Sequence, residues 1–222
     1  MTQRFNRGEF WLLASSVEYS IPLPLLALPE WAPGGAMNTI DICLNRHGHG
    51  LDFQALVDTL LHVRRNGWIQ FGRPLAGESV PFSEPDADEI AAFLRERGRG
   101  LDTVHYWLTV EGGAAWEAFA RPRWEKYLTS SCEFPQDGST FERSYTLETS
   151  DWQWLDKYLR AQATEQVIET GSMTLGELRP WQATYWKTLP FGLRCTFRSV
   201  EHRLRGHVPD SSRMLASWCE WR

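Results

Sequence analysis

The chain has 222 residues, 42% hydrophobic and 23% charged, with a formal net charge of -5 at pH 7. That is enough for one elaborated domain or two small ones and excludes a disordered tail, while the negative charge argues against a protein whose first task is to neutralise phosphates. No apolar run reaches the roughly 20 residues needed to cross a bilayer, which excludes a membrane-spanning helix. Four scattered cysteines with no C-x-x-C pair, and no charged-then-apolar leader, lead to the expectation of a reduced, cytoplasmic protein.

Residues 8–17 (GEFWLLASSV) read as a short helix with Asn6 as its cap, and the prolines at 22, 24, 29 and 33 predict a meandering loop after it. A second apolar stretch, 39–44, ends at a glycine-histidine cluster. Cys43, His47 and His49 there offer a thiolate and two imidazoles within seven residues. They lack a fourth ligand and the spacing of a zinc site, so no metal is expected. Asp52 is the N-cap of the strongest helix, with Phe53, Leu56, Val57, Leu60 and Leu61 at helical spacing, and Asn66-Gly67 stops it.

Trp68-Ile69-Gln70-Phe71 alternates as a strand. Residues 84–97 follow as a helix, opened by Ser83, Pro85 and acidic residues and carrying Ile90, Ala91, Phe93 and Leu94 on an apolar face. Residues 104–109 form the next strand, and Gly112-Gly113 precede a short helix, 114–119, whose Trp116 and Phe119 face the core. Leu56, Leu60, Ile69, Phe93, Leu108 and Trp116 are expected to share one core. The polar stretch 130–139 marks a boundary near Asp137, dividing the chain into 1–136 and 137–222.

Beyond it, 141–147 reads as a strand, and residues 149–151 cap a helix carrying Trp154, Leu155, Tyr158 and Leu159. Residues 167–178 include one strand. Residues 182–187 and 193–200 alternate strongly and are expected to form a hairpin through the loop 188–192. This part is α+β with an antiparallel sheet.

The order from Asp52 to Trp116 resembles the winged-helix superfamily over about a third of the chain. It runs helix, Asn66-Gly67, then Trp68-Ile69-Gln70-Phe71 as first wing strand; Tyr106, Leu108, Thr109 and Gly112 fit a Y-x-L-T-x-x-G element leaving the second. The resemblance implies an α+β fold: a winged-helix-like first part with an elaborated wing, the 84–97 helix lying between the wing strands, and then the α+β part. It also implies either a DNA reader, with Arg64 and Arg65 near the major groove, or a version of the fold turned to protein interaction.

Charge and motif content favour the second. Residues 51–127 hold nine Lys or Arg against twelve Asp or Glu, and the chain has no G-x-S-x-G elbow, phosphate loop or H-E-x-x-H. The carboxylate pairs Glu117 with Glu125 and Asp151 with Asp156 are accounted for by helix caps and solvated faces, so no catalysis and no cofactor are expected. An acidic, cytoplasmic binder of this kind is similar, as a class, to bacterial toxin-immunity proteins. That similarity implies a basic toxin as partner, no nucleic acid and no membrane; a winged-helix DNA-binding regulator is the alternative. The expected partner-binding residues are Glu84, Asp86, Asp88 and Glu89, with Trp186 and Lys187. In the run W-x-x-x-Y-W-K, strand alternation puts Tyr185 and Trp186 on opposite faces, so one must look outward.

Overall fold

The computed structural model describes residues 4–27, 49–75, 78–81, 84–96, 103–133 and 142–201. The fold is α+β, helices with antiparallel sheets. Contacts divide the chain into two compact units: the residues up to Phe119 together with Thr184–Trp186 (unit 1), and Ala120–Ala183 together with the residues from Lys187 onward (unit 2).

Unit 1 opens with α1 (Arg7–Ser15). The Asn6 side chain accepts the Glu9 N–H and the Glu9 carboxylate accepts the Asn6 N–H, each at 2.9 Å, a reciprocal cap that satisfies two helix-end donors. Of the proline-rich stretch after it, residues 21–26 are a strand and a helical turn where a loop was expected, while Pro29 and Pro33 lie outside the described residues. Ile21–Pro22 is a short edge strand, β1, and Leu23–Leu26 a helical turn, α2, with all four residues buried. Pro24 sits in the first turn of that helix, where a missing N–H costs nothing.

Next comes α3 (Phe53–Arg65). The Asp52 carboxylate accepts the Ala55 N–H at 2.8 Å, Leu56, Val57, Leu60 and Val63 are buried, and Gly67 at φ 73° turns the chain away. Then follow β2 (Ile69–Leu75), β3 (Glu78–Pro81), α4 (Ala87–Leu94), β4 (His105–Leu108) and α5 (Val110–Ala120). The sheet order is β1-β4-β2-β3. β2 and β4 pair antiparallel from Ile69↔Leu108 to Gly72↔His105, while β3, unforeseen in the sequence, doubles back on β2 from Gly72↔Pro81 to Leu75↔Glu78. Of the six residues expected in one core, Leu56, Leu60, Ile69, Leu108 and Trp116 are buried and Phe93 is half-buried.

The two glycines expected before the last helix lie inside it. Thr109 caps α5, its hydroxyl accepting the Gly112 N–H at 2.9 Å and donating to the Gly67 carbonyl at 2.6 Å. A Cβ on Gly112 would stand 1.8 Å from the Trp68 carbonyl oxygen, and one on Gly113 would stand 2.1 Å from the Trp186 indole. Their role is close approach, not helix breaking. Phe119, expected in the core, is 37% exposed and meets Phe5 and Phe10 at its edge.

Unit 2 is built on β5 (Leu128–Glu133), β6 (Glu142–Thr149), α6 (Trp152–Glu165), β7 (Gln166–Ile168), β8 (Thr174–Leu178), β9 (Trp181–Gln182), β10 (Thr188–Leu189) and β11 (Gly192–Glu201). β6 and β11 are central and pair from Leu193↔Thr149 to Val200↔Glu142. Their alternate residues Tyr145, Leu147, Cys195 and Phe197 cluster with Leu155 and Tyr158 of α6. β7 and β8 both pair with β11 on its other side, so the single strand expected in 167–178 is one edge interrupted at 169–173, where Gly171 adopts φ 80°.

The hairpin expected between 182–187 and 193–200 does not form. β11 pairs with β6 and β8 instead, and β9 with β10 makes a separate two-stranded ribbon. Alternation in 182–187 has another cause: Thr184 and Trp186 are buried as part of unit 1. The boundary expected at Asp137 lies outside the described residues, between β5 and β6, which pair from Leu128↔Thr149 to Glu133↔Ser144.

Candidate functional site

Asp86, Glu89, Glu84 and Asp88 gather at the start of α4, because an acidic first turn complements the helix dipole. Asp86 is the N-cap. Its carboxylate accepts the Glu89 N–H and the Glu89 carboxylate accepts the Asp86 N–H, each at 2.9 Å. Glu84 and Asp88 take no part in the cap. All four are exposed, and among the described residues none of them forms an ion pair. The described residues of unit 1 carry twelve Asp or Glu against six Arg, so this turn crowns an acidic unit.

Trp186 is not a surface residue, contrary to its expected partner-binding role. Its indole N–H donates to the Val17 carbonyl at 2.9 Å, its ring meets Trp116 edge-on at 6.3 Å, and it lies over Gly113. The glycine-flattened face of α5 is what admits it. Tyr185 is the residue that looks outward: its ring is 40% exposed, yet its hydroxyl turns inward, accepting the Leu108 N–H at 2.7 Å and donating to the Ser16 carbonyl. Desolvation pushes that hydroxyl's pKa up. It does the same, with Tyr185 as second cause, to the fully buried Tyr106, which donates to the Leu12 carbonyl at 3.0 Å.

Lys187 belongs to unit 2, where its Nζ stands 5.4 Å above the Trp124 ring. Around it is a layer that the sequence reading missed. The Nζ atoms of Lys126 and Lys157 stand 6.0 and 5.6 Å from the Trp154 ring. The legible signal was Trp154 and Lys157 three apart on one helix face.

The remaining candidates are engaged elsewhere. His49 is buried, with Nε2 2.9 Å from the Leu26 carbonyl oxygen and Nδ1 accepting the Leu51 N–H at 3.1 Å, so both ring nitrogens are used; Cys43 and His47 lie outside the described residues. Among the described residues no group of three His, Cys, Asp or Glu is placed to hold a metal ion. Asp151 caps α6 through the Gln153 N–H at 2.8 Å, and Asp156 pairs with Arg160 at 2.9 Å. Arg64 is half-buried and Arg65 exposed at the end of α3. No described helix is long and apolar enough to cross a membrane.

A scan against protein-family models found no match, and searches of curated proteins and of solved structures found none.

Proposed function

We propose that the chain is a non-catalytic protein-binding protein of the cytoplasm that neutralises a basic toxin by occluding it, with unit 1 as a winged-helix-like unit that carries the binding face. The observation behind this reading is the charge of unit 1, twelve carboxylates to six arginines among its described residues, with four of the carboxylates exposed in six positions at the start of α4. Such a face steers a basic protein into contact and repels nucleic acid. Support for the winged-helix-like order comes from α3, the Asn66-Gly67 turn, and the antiparallel pairing of β2 with β4, closed by Thr109 and Gly112.

Asp86 holds the helix cap, so the test uses the two carboxylates that do not. The reading frame immediately upstream of the gene would be expressed with and without the chain, and growth and complex formation measured. The unaltered chain restores growth, and E84K/D88K slows association and weakens its salt dependence with the fold unchanged. A non-toxic upstream product, or equal association of the double variant, overturns the proposal. The order α3, β2, β4 with Arg65 exposed also favours a second reading, a DNA-binding regulator.

A further inference from the structure

Of the four asparagines in the chain, at positions 6, 38, 45 and 66, only Asn66 is followed by glycine. An asparagine before glycine is open to a reaction that needs no enzyme. The Gly67 nitrogen, unhindered because its own residue has no Cβ, attacks the Asn66 side-chain carbonyl carbon, Cγ. A new N–C bond closes a succinimide ring, the bond from Cγ to Nδ2 breaks, the Gly67 amide proton passes through solvent to the departing nitrogen, and ammonia leaves. Water then opens either ring carbonyl, giving aspartate or its backbone-lengthened isomer, isoaspartate. Water is the sole co-reactant, and nothing is oxidised or reduced.

The folded chain holds every participant away from that reaction. Ring closure requires the Gly67 nitrogen to eclipse the Asn66 Cβ about the Cα–C bond. At ψ -2° it eclipses the Asn66 main-chain nitrogen instead, about a third of a turn away from Cβ. The Gly67 N–H is committed to the Arg64 carbonyl at 2.8 Å. The Asn66 side-chain N–H donates to the His62 carbonyl at 2.9 Å, and the same Nδ2 stands 3.1 Å from His62 Nε2. Beyond the turn, the Trp68 N–H donates to the Val63 carbonyl at 3.1 Å and the Thr109 hydroxyl to the Gly67 carbonyl at 2.6 Å. Bringing Cγ and the Gly67 nitrogen together breaks the bonds to Arg64 and His62, so the reaction waits for the last turn of α3 to open. Asn66 is exposed, so water reaches it without further rearrangement.

We propose that Asn66-Gly67 is a self-modification site gated by the fold, inert in the closed turn and converted to aspartate or isoaspartate once the end of α3 opens. The product does not regain the same turn. A carboxylate there sets an acceptor against the His62 carbonyl, where the amide set a donor. Isoaspartate also adds a methylene to the main chain, which moves Gly67 and Trp68 out of register with Arg64 and Val63. Conversion therefore leaves a permanent mark on each chain that has opened here, and loosens the turn between α3 and β2. The site shares no residue with the acidic turn of α4, so it stands or falls apart from the binding reading.

The purified chain would be incubated at mildly alkaline pH, with and without unfolding urea, and mapped by proteolysis and mass spectrometry for the mass gain of an amide becoming an acid. Conversion at Asn66 should be about tenfold or more slower in the folded chain, because only the opened fraction reacts. Thr109→Val, which frees the Gly67 carbonyl, should speed it. Amide hydrogen exchange at Gly67 in the same samples separates opening of this turn from loss of the whole fold. Asn66→Gln, whose longer side chain disfavours the ring, should show no gain, and Asn66→Asp should lower the urea midpoint. Equal rates in the folded and unfolded chain, no gain in urea, a gain that does not follow Gly67 exchange, or an unchanged midpoint in Asn66→Asp overturns the inference.

Discussion

At Gly113 a hydrogen atom is all the side chain that the Trp186 indole leaves room for. Gly113→Ala must push that ring off its bond to Val17, and because overpacking of this kind costs about 1–3 kcal/mol, a urea titration should show a lowered midpoint with a similar slope. Two inward-turned phenols make a second point at this scale. Burial raises the pKa of Tyr106 and Tyr185, so the folded chain holds their protons when the unfolded chain has begun to release them. Stability from this source is complete below about pH 10 and falls as pH rises above it. Tyr106→Phe should flatten that fall in alkaline unfolding, and should cost about 1 kcal/mol at neutral pH by taking the donor from the Leu12 carbonyl. None of this was legible beforehand. Gly113 and Trp186 are far apart in sequence, and a glycine needed for close approach looks the same there as one that breaks a helix.

For the elements, legibility followed locality. The caps at Asn6, Asp52 and Asp151 were readable because a capping side chain and its N–H lie within three residues, whereas for α4 only an acidic helix start was read, from residue 84, and its cap Asp86 was not. Asp86→Ala should cost about 0.5–2 kcal/mol and Asp88→Ala much less, a contrast that thermal unfolding of the two variants would check. Strands fared unevenly. β11 was visible by its alternation, but its partner β6 lies some fifty residues earlier and nothing local points to it. Residues 182–187 alternate as a strand would, yet the period arises from Thr184 and Trp186 burying themselves in unit 1. The prolines at 22 and 24 misled for the converse reason: an edge strand and a first helical turn both tolerate them.

Over the whole molecule the charge is uneven in a way that the net value of -5 conceals. The described residues of unit 1 hold twice as many carboxylates as arginines, whereas those of unit 2 hold ten of each sign. Duplex DNA binding is therefore expected to be absent at near-physiological salt. A nanomolar, sequence-dependent affinity lost in R64A/R65A would favour the regulator instead. The acidic turn of α4 was found from the sequence because its four carboxylates are consecutive or nearly so. The lysine-indole layer was not, because its three cations come from a turn, a helix and a loop.

The interrupted edge of unit 2 bears on how copies of this chain behave toward one another. Val167 and Leu175 leave that edge apolar, at 51 and 53% exposure, and among the described residues no strand pairs along its outer side. A long, flat, greasy edge is a template on which a neighbouring chain can grow. The turn at 169–173 cuts it into lengths of three and five residues, too short to seed a ladder that would repeat from molecule to molecule. Those five residues act as a brake on aggregation.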